Sequence, residues 1–117
     1  MATLMQQYGS LIMAAIRADR EKLDRNYSAY VYYENHHIRP KCFGRDDRDE
    51  NLVLLTFAEH VEAHVLLAKL YPAHRELQLA PAKMLAGGKR GQVSSQLAAE
   101  AKKLASCIVT ECNKFTI

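Results

Sequence analysis

With 117 residues, 49% hydrophobic and 25% charged, the chain has the length and balance of one ordinary globular domain. No apolar run reaches the roughly 20 residues that span a bilayer, and "MATLMQQYGSLIM" lacks the basic and apolar regions of a secretory leader. Three cysteines (Cys42, Cys107, Cys112) form no CxxC pair, which argues against a disulfide framework or a four-cysteine zinc site and fits the reducing cytosol.

The net charge of +3 is unevenly placed: residues 1–64 carry eight Lys/Arg against ten Asp/Glu, and residues 65–117 carry eight against three. That asymmetry favours a polyanion partner met mainly by the C-terminal half, with a plain solvated basic surface as the alternative.

In chain order, Leu4, Tyr8, Leu11, Ile12, Ala15, Ile16 and Leu23 share one helical face and predict an amphipathic helix over 3–24. Gly9 inside it costs about 1 kcal/mol relative to Ala. "SAYVYYENH" is rich in Tyr and Val and predicts a strand over 28–36, and "NLVLL" predicts a second at 51–55. Between them lies the polar loop "FGRDDRDE", with Gly44 available for a turn, so the pair reads as a hairpin with a long charged connection. Thr56 with Glu59 three residues on is a capping-box signature. It opens a helix with Phe57, Val61, Val65 and Ala68 on its apolar stripe, stopped by Pro72 just after Tyr71. A short helical piece near 81–86 closes at Gly87-Gly88. A last helix over about 94–113 follows, with Leu97, Ala101, Leu104, Ile108 and Cys112 on one face.

Four of the five histidines come in two pairs, His36/His37 on the first strand and His60/His64 on the capped helix. The i, i+4 spacing of the second pair puts both imidazoles on one face, one turn apart, which is how helices offer two nitrogens to one metal. An HxxxH alone is a weak signal. If the hairpin packs on that helix, a strand histidine completes three nitrogens, the number that leaves a catalytic metal an open position. The sequence supplies no obvious fourth protein ligand, Cys42 being the only nearby candidate. His74, beside Arg75 at a helix end, reads as a surface residue.

The order His36-His37-Ile38-x-Pro40, Gly44, Asn51-Leu52-Val53-x-Leu55-Thr56, Glu59-His60-x-x-Ala63-His64 resembles the HNH endonucleases, most closely small phage-encoded, homing-type ones. The resemblance covers residues 33–71 closely and 1–32 loosely. The Gly-Gly often found in the loop stands here as Gly44-Arg45, and residues 73–117 carry no assignable motif.

The resemblance implies an α+β, mostly helical fold: a ββα-metal finger over 28–72 between an N-terminal helix (1–27) and a basic helical region (73–117). It makes His36, His60 and His64 the ligands of one divalent ion (Zn²⁺, Ni²⁺, Mg²⁺ or Mn²⁺), His37 the general base, and Asn51 the brace of the hairpin that presents the base. Glu34 falls at an acidic position that orients a ligand or a nearby Arg. The implied activity is hydrolysis of phosphodiester bonds in duplex DNA, by nicking or double-strand cleavage, in the host cytoplasm if the chain is phage-encoded. Arg39, Lys41, Lys69, Arg75, Lys89, Arg90, Lys102 and Lys103 are candidate phosphate contacts. Adjacent side chains of an extended segment diverge, so one imidazole of the His36-His37 pair can be held while its neighbour works. The competing readings are a DNA-binding or packaging-associated protein that keeps the finger as a structural clip, and a nuclease for branched DNA or RNA. A clip needs ligands but no base, so His37 argues against it.

Overall fold

A computed structural model describes residues 1–115, with side chains through Ser106 apart from Arg90. Helix α1 (Leu4–Arg17) leads to strand β1 (Glu34–His37). Strand β2 (Leu52–Leu55) and helices α2 (Phe57–Leu70), α3 (Arg75–Leu85) and α4 (Ser95–Phe115) follow. The architecture is thus α+β and mostly helical, with one two-stranded antiparallel sheet whose register sets Glu34 opposite Leu55 and His36 opposite Val53.

Helix α2 is the central element. Phe57, Val61, Ala63, Val65, Leu66, Leu67 and Ala68 are all buried, so its apolar surface runs round most of the circumference. One side meets Tyr8, Ile12 and Ala15 of α1 and Val53 and Leu55 of β2. The other side meets Met84, Leu85, Leu97 and Leu104 from the C-terminal helices. A helix buried on two sides needs more apolar residues than a single stripe supplies, which is why Ala63, Leu66 and Leu67 join the four expected from spacing.

The capping box at Thr56 is formed as expected. Glu59 N–H donates to Thr56 Oγ1 at 3.2 Å, and Thr56 N–H donates to Glu59 Oε1 at 2.9 Å. A cap of this kind is worth about 1 kcal/mol. At the other end of α2, Gln78 of α3 donates to the carbonyls of Ala68 and Tyr71 at 2.6 and 3.3 Å, partnering groups that a helix end leaves unpaired.

Three elements differ from the expectations. Helix α1 stops at Arg17 rather than near residue 24, because Asp19 turns to φ 50° and Arg20 swings across to Leu54 and Glu59. Ile16 is consequently exposed and Leu23 lies beyond the helix. The strand expected over 28–36 is confined to 34–37: β2 offers only four residues to pair with, and a strand cannot outrun its partner. Helix α3 begins at Arg75, not near residue 81. Pro81 therefore sits inside it, where it removes a hydrogen bond, and burial of Leu77, Gln78 and Pro81 against the rest of the protein holds the helix together. The expected face of α4 is confirmed at Ala101 and, half-buried, at Leu97 and Leu104; Ile108 and Cys112 lie outside the described side chains. Among the described residues, no helix is long and apolar enough to cross a membrane.

Candidate metal centre

Pairing fixes which way the two adjacent histidines face. His36 shares a register position with the core residue Val53 and is 1% exposed, while His37, one residue on, is half-buried on the other side of the strand. Packing of α2 under the hairpin then brings His60 and His64 to His36. Ring centroids lie 5.1 Å apart for His36–His60, 5.1 Å for His36–His64 and 5.0 Å for His60–His64. One nitrogen from each of the three rings lies within 4.8 Å of the other two.

Hydrogen bonds on the outer side of the cluster assign the ring protons. Tyr8 Oη lies 2.7 Å from the Ile38 carbonyl and 2.7 Å from His36 Nε2. A carbonyl only accepts, so the phenol donates to Ile38 and accepts from His36 Nε2–H. The lone pair of His36 is left on Nδ1. Likewise His60 Nδ1–H donates to Glu34 Oε1 at 2.8 Å, leaving its lone pair on Nε2. His36 Nδ1 and His64 Nδ1 are buried side-chain nitrogens with no hydrogen-bond partner among the described residues. An unpartnered buried polar atom costs about 1–3 kcal/mol, and three imidazoles that bring one nitrogen each within 4.8 Å of one another form a donor set that fits a divalent cation. Burial, then the neighbouring His64, His60 and His37, pushes the His36 pKa down to about 2. Burial, then His60, pushes that of His64 down to about 4. Both rings are therefore neutral near pH 7, the form that carries a ligand lone pair.

Glu34, which orients His60, is itself held. Burial would raise its pKa, but hydrogen bonds from Tyr32 and His60 and the Lys89 charge bring it below the usual carboxylate range. Cys42 lines the adjoining cavity but does not belong to the nitrogen cluster. That cavity, about 270 Å³, is bordered by His37, His60, His64, Asn35 and Lys41, so the ring at 37 opens onto the same space as two of the three clustered histidines. His37 Nε2 lies 2.8 Å from Asp47 Oδ1, and Arg45 donates to the other oxygen of Asp47 at 2.7 Å. These contacts, His37 first, lower the Asp47 pKa. In the neutral ring this carboxylate keeps the proton on Nε2 and the lone pair on Nδ1.

Asn51 is 7% exposed and closes the long connection between the strands. Its Oδ1 accepts from Arg39 N–H at 2.8 Å, and its Nδ2 donates to the Asp46 carbonyl at 2.8 Å. The loop is further shaped by Gly44 at φ 110°, a conformation that side-chain-bearing residues avoid. Phe43 anchors it, packing edge-on against Tyr71 and His74.

The candidate phosphate-binding cations are not gathered into one site. Arg39, Lys41, Arg75, Lys102 and Lys103 are exposed, although Arg39 also donates to the Phe43 carbonyl. Lys69 lies 3.7 Å from Glu100. Lys89 is turned inward, 3.9 Å from Glu34 and over the Tyr32 and Phe57 rings. The Arg90 side chain lies outside the described residues. Sequence reasoning missed Tyr8, which looked like one more apolar position of α1, and Asp47, one of several acids in a loop. It also missed Arg20, which donates to both carboxylate oxygens of Glu59 at 2.6 and 3.1 Å. Only Asp47 had a local signal: an acid in the connection that follows a candidate base.

The chain is 56% identical over 41 residues to probable mobile endonuclease E of Enterobacteria phage T4, covering 35% of this chain and 29% of that protein. It is 52% identical over 50 residues to probable mobile endonuclease D of the same phage, covering 43% and 19%. It is 45% identical over 65 residues to probable mobile endonuclease B, covering 55% and 23%. The chain thus spans less than a third of the length of these curated relatives. No family model and no solved structure matches it.

Proposed function

We propose that this chain is a metal-dependent DNA endonuclease of the HNH type, related to phage homing-type enzymes and acting in the host cytoplasm. One observation carries the reading: three imidazoles converge with two orphaned buried nitrogens, and His37 borders the same cavity. The relatives' printed names, probable mobile endonucleases, support it.

In this reading His36, His60 and His64 hold one divalent ion, a donor set that suits Zn²⁺, Ni²⁺ or Co²⁺, with Mg²⁺ or Mn²⁺ as alternatives for turnover. When bound, the ion supplies charge stabilisation at the scissile phosphate and its leaving oxygen. The rest falls to the protein. Nδ1 of His37 takes a proton from a water while that water's oxygen bonds to phosphorus. The bond from phosphorus to the 3′ oxygen breaks, and the departing oxygen is protonated from solvent. Asp47, on Nε2, fixes which ring nitrogen is basic and steadies the imidazolium that forms. Glu34 holds His60 at its ligating angle, and Asn51 keeps the loop that carries Asp47 closed over β1. Exposed Arg39, Lys41, Lys69, Arg75, Lys102 and Lys103 are the candidate phosphate contacts. One such site cuts one strand per encounter, so a double-strand break takes a second copy or a second visit.

The test is nicking of supercoiled plasmid with Mg²⁺, Mn²⁺, Ni²⁺ or Zn²⁺. His37→Ala is expected to lose about 10²–10⁴-fold in rate, the usual worth of a positioned base, while still binding metal. His60→Ala should lose both. Cleavage by metal-loaded His37→Ala at the parental rate overturns the base assignment. A parent that cleaves no DNA, yet binds both metal and duplex, gives the structural clip instead.

A further inference from the structure

We infer that Tyr8 is a positioning residue of the metal centre: from helix α1 it selects the tautomer of His36 and aims the remaining lone pair into the three-histidine cluster. This rests on the metal-centre reading above and adds to it an element, α1, that the histidine pattern does not include.

The observation is a relay of two hydrogen bonds through one buried hydroxyl. Tyr8 is 7% exposed among the core residues of α1 and β2, in the hydrophobic face formed with Ile12 and Ala15. Its Oη reaches the Ile38 carbonyl and His36 Nε2, each at 2.7 Å. The hydroxyl has a single proton, and the carbonyl has none to give. The direction of both bonds is therefore forced, and His36 must present Nε2–H to the phenol. What remains is Nδ1, the buried nitrogen without a partner among the described residues.

A core tyrosine whose hydroxyl merely needed satisfying would be content with Ile38 alone. The second bond ties α1 to the ring, 28 residues on, that sits deepest in the cluster. The same logic operates on His60, where Glu34 occupies Nδ1. Two of the three rings thus have their outer nitrogen held by a dedicated partner, the arrangement that fixes ring orientation at metal sites. Tyr8 differs from Glu34 in bringing no charge, so it orients His36 without adding a buried anion.

The experiment has two readouts, neither of them cleavage. Long-range ¹⁵N–¹H NMR on the metal-free parent is expected to show His36 protonated at Nε2. A His36 protonated at Nδ1 overturns the proposal directly, whatever any variant does. Zn²⁺ affinity of Tyr8→Phe, by competition with a chelating dye, is expected to fall about 10–100-fold, the range found when a ligand's outer partner is removed. Ile12→Val, on the same buried face of α1, is the packing control. It should lower the melting temperature yet leave Zn²⁺ affinity within about twofold. Tyr8→Phe binding Zn²⁺ as tightly as the parent, or Ile12→Val weakening it equally, overturns the assignment of Tyr8 and leaves the metal centre standing. A parent that binds no divalent metal overturns both.

Discussion

The hairpin with α2 and the α3–α4 end of the molecule treat polar groups in opposite ways. Of the three buried polar residues among those described, His36 and Asn51 belong to the hairpin region and Gln78 to α3. Gln78 does a structural job, donating to carbonyls at the end of α2. In the hairpin the polar groups point at one another: Tyr8 to His36, Glu34 to His60, Asp47 to His37, Asn51 across the loop. The contrast teaches where binding energy is stored. A core built from Leu and Ala fills space, whereas a set of oriented imidazoles with bare nitrogens is costly unless something completes it.

The sharpest way to break this comparison is to exchange the damage. His36→Ala removes a ligand and is expected to weaken Zn²⁺ binding by more than about 100-fold, beyond the loss expected from an outer partner. Titration calorimetry on the folded variant reads it. Leu104→Ala, on the part of α4 packed against Val61 and Val65, should cost about 2 kcal/mol in urea unfolding. It should leave the metal stoichiometry at the parental value. If folded Leu104→Ala fails to bind metal, the two ends are not separable in the way described.

Asn51→Ala leaves Arg39 N–H and the Asp46 carbonyl without their partner and should cost about 1–3 kcal/mol. Its nicking rate should fall further than that of a core variant matched for stability, because the loop also carries Asp47. Equal rates at equal stability would reduce Asn51 to a loop staple.

The smallest effect concerns Arg20. Its hydrogen bonds, the largest influence on Glu59, hold that carboxyl below its ordinary range despite partial burial. A depressed folded pKa means stabilisation that is present above the ordinary value of about 4.3 and lost as pH falls through the lower folded value. Arg20→Met should therefore be less stable than the parent near neutrality, by about 1 kcal/mol for a pair that solvent still partly screens. In acid the two melting curves should converge. A constant gap across pH would mean that Arg20 acts through its contact with the Tyr33 ring instead.

What was legible in the sequence follows from how local each signal is. Thr56 and Glu59 announce α2 because a capping box is a contact between neighbours three residues apart, and Pro72 ends it for an equally local reason. The end of α1 was not legible: its apolar spacing runs on to Leu23, and the turn at Asp19 has no glycine to mark it. Tyr and Val propensity at 28–33 promised strand, but strand length is decided by the partner, whose paired residues lie 15 to 21 positions away. The histidines were legible as two pairs because each pair carries its own spacing. That a strand histidine could join His60 and His64 came from the order of elements, and the choice of His36 came from the family resemblance; the three rings lie together in the fold. Tyr8 meets His36 only through tertiary structure, so nothing in its neighbourhood distinguished it from a core residue, while Asp47 had only the weak signal of an acid in the connection after a candidate base.

Lys89 has a consequence of its own. Residues 73–117 carry no motif, yet this one ammonium reaches back from beyond α3 to Glu34, resting on Tyr32 and Phe57 on the way. The carboxylate bonded to His60 thus shares its negative charge with a cation from the C-terminal half of the chain. On the metal-centre reading proposed above, that shared charge makes the C-terminal region an electrostatic counterweight to an incoming cation.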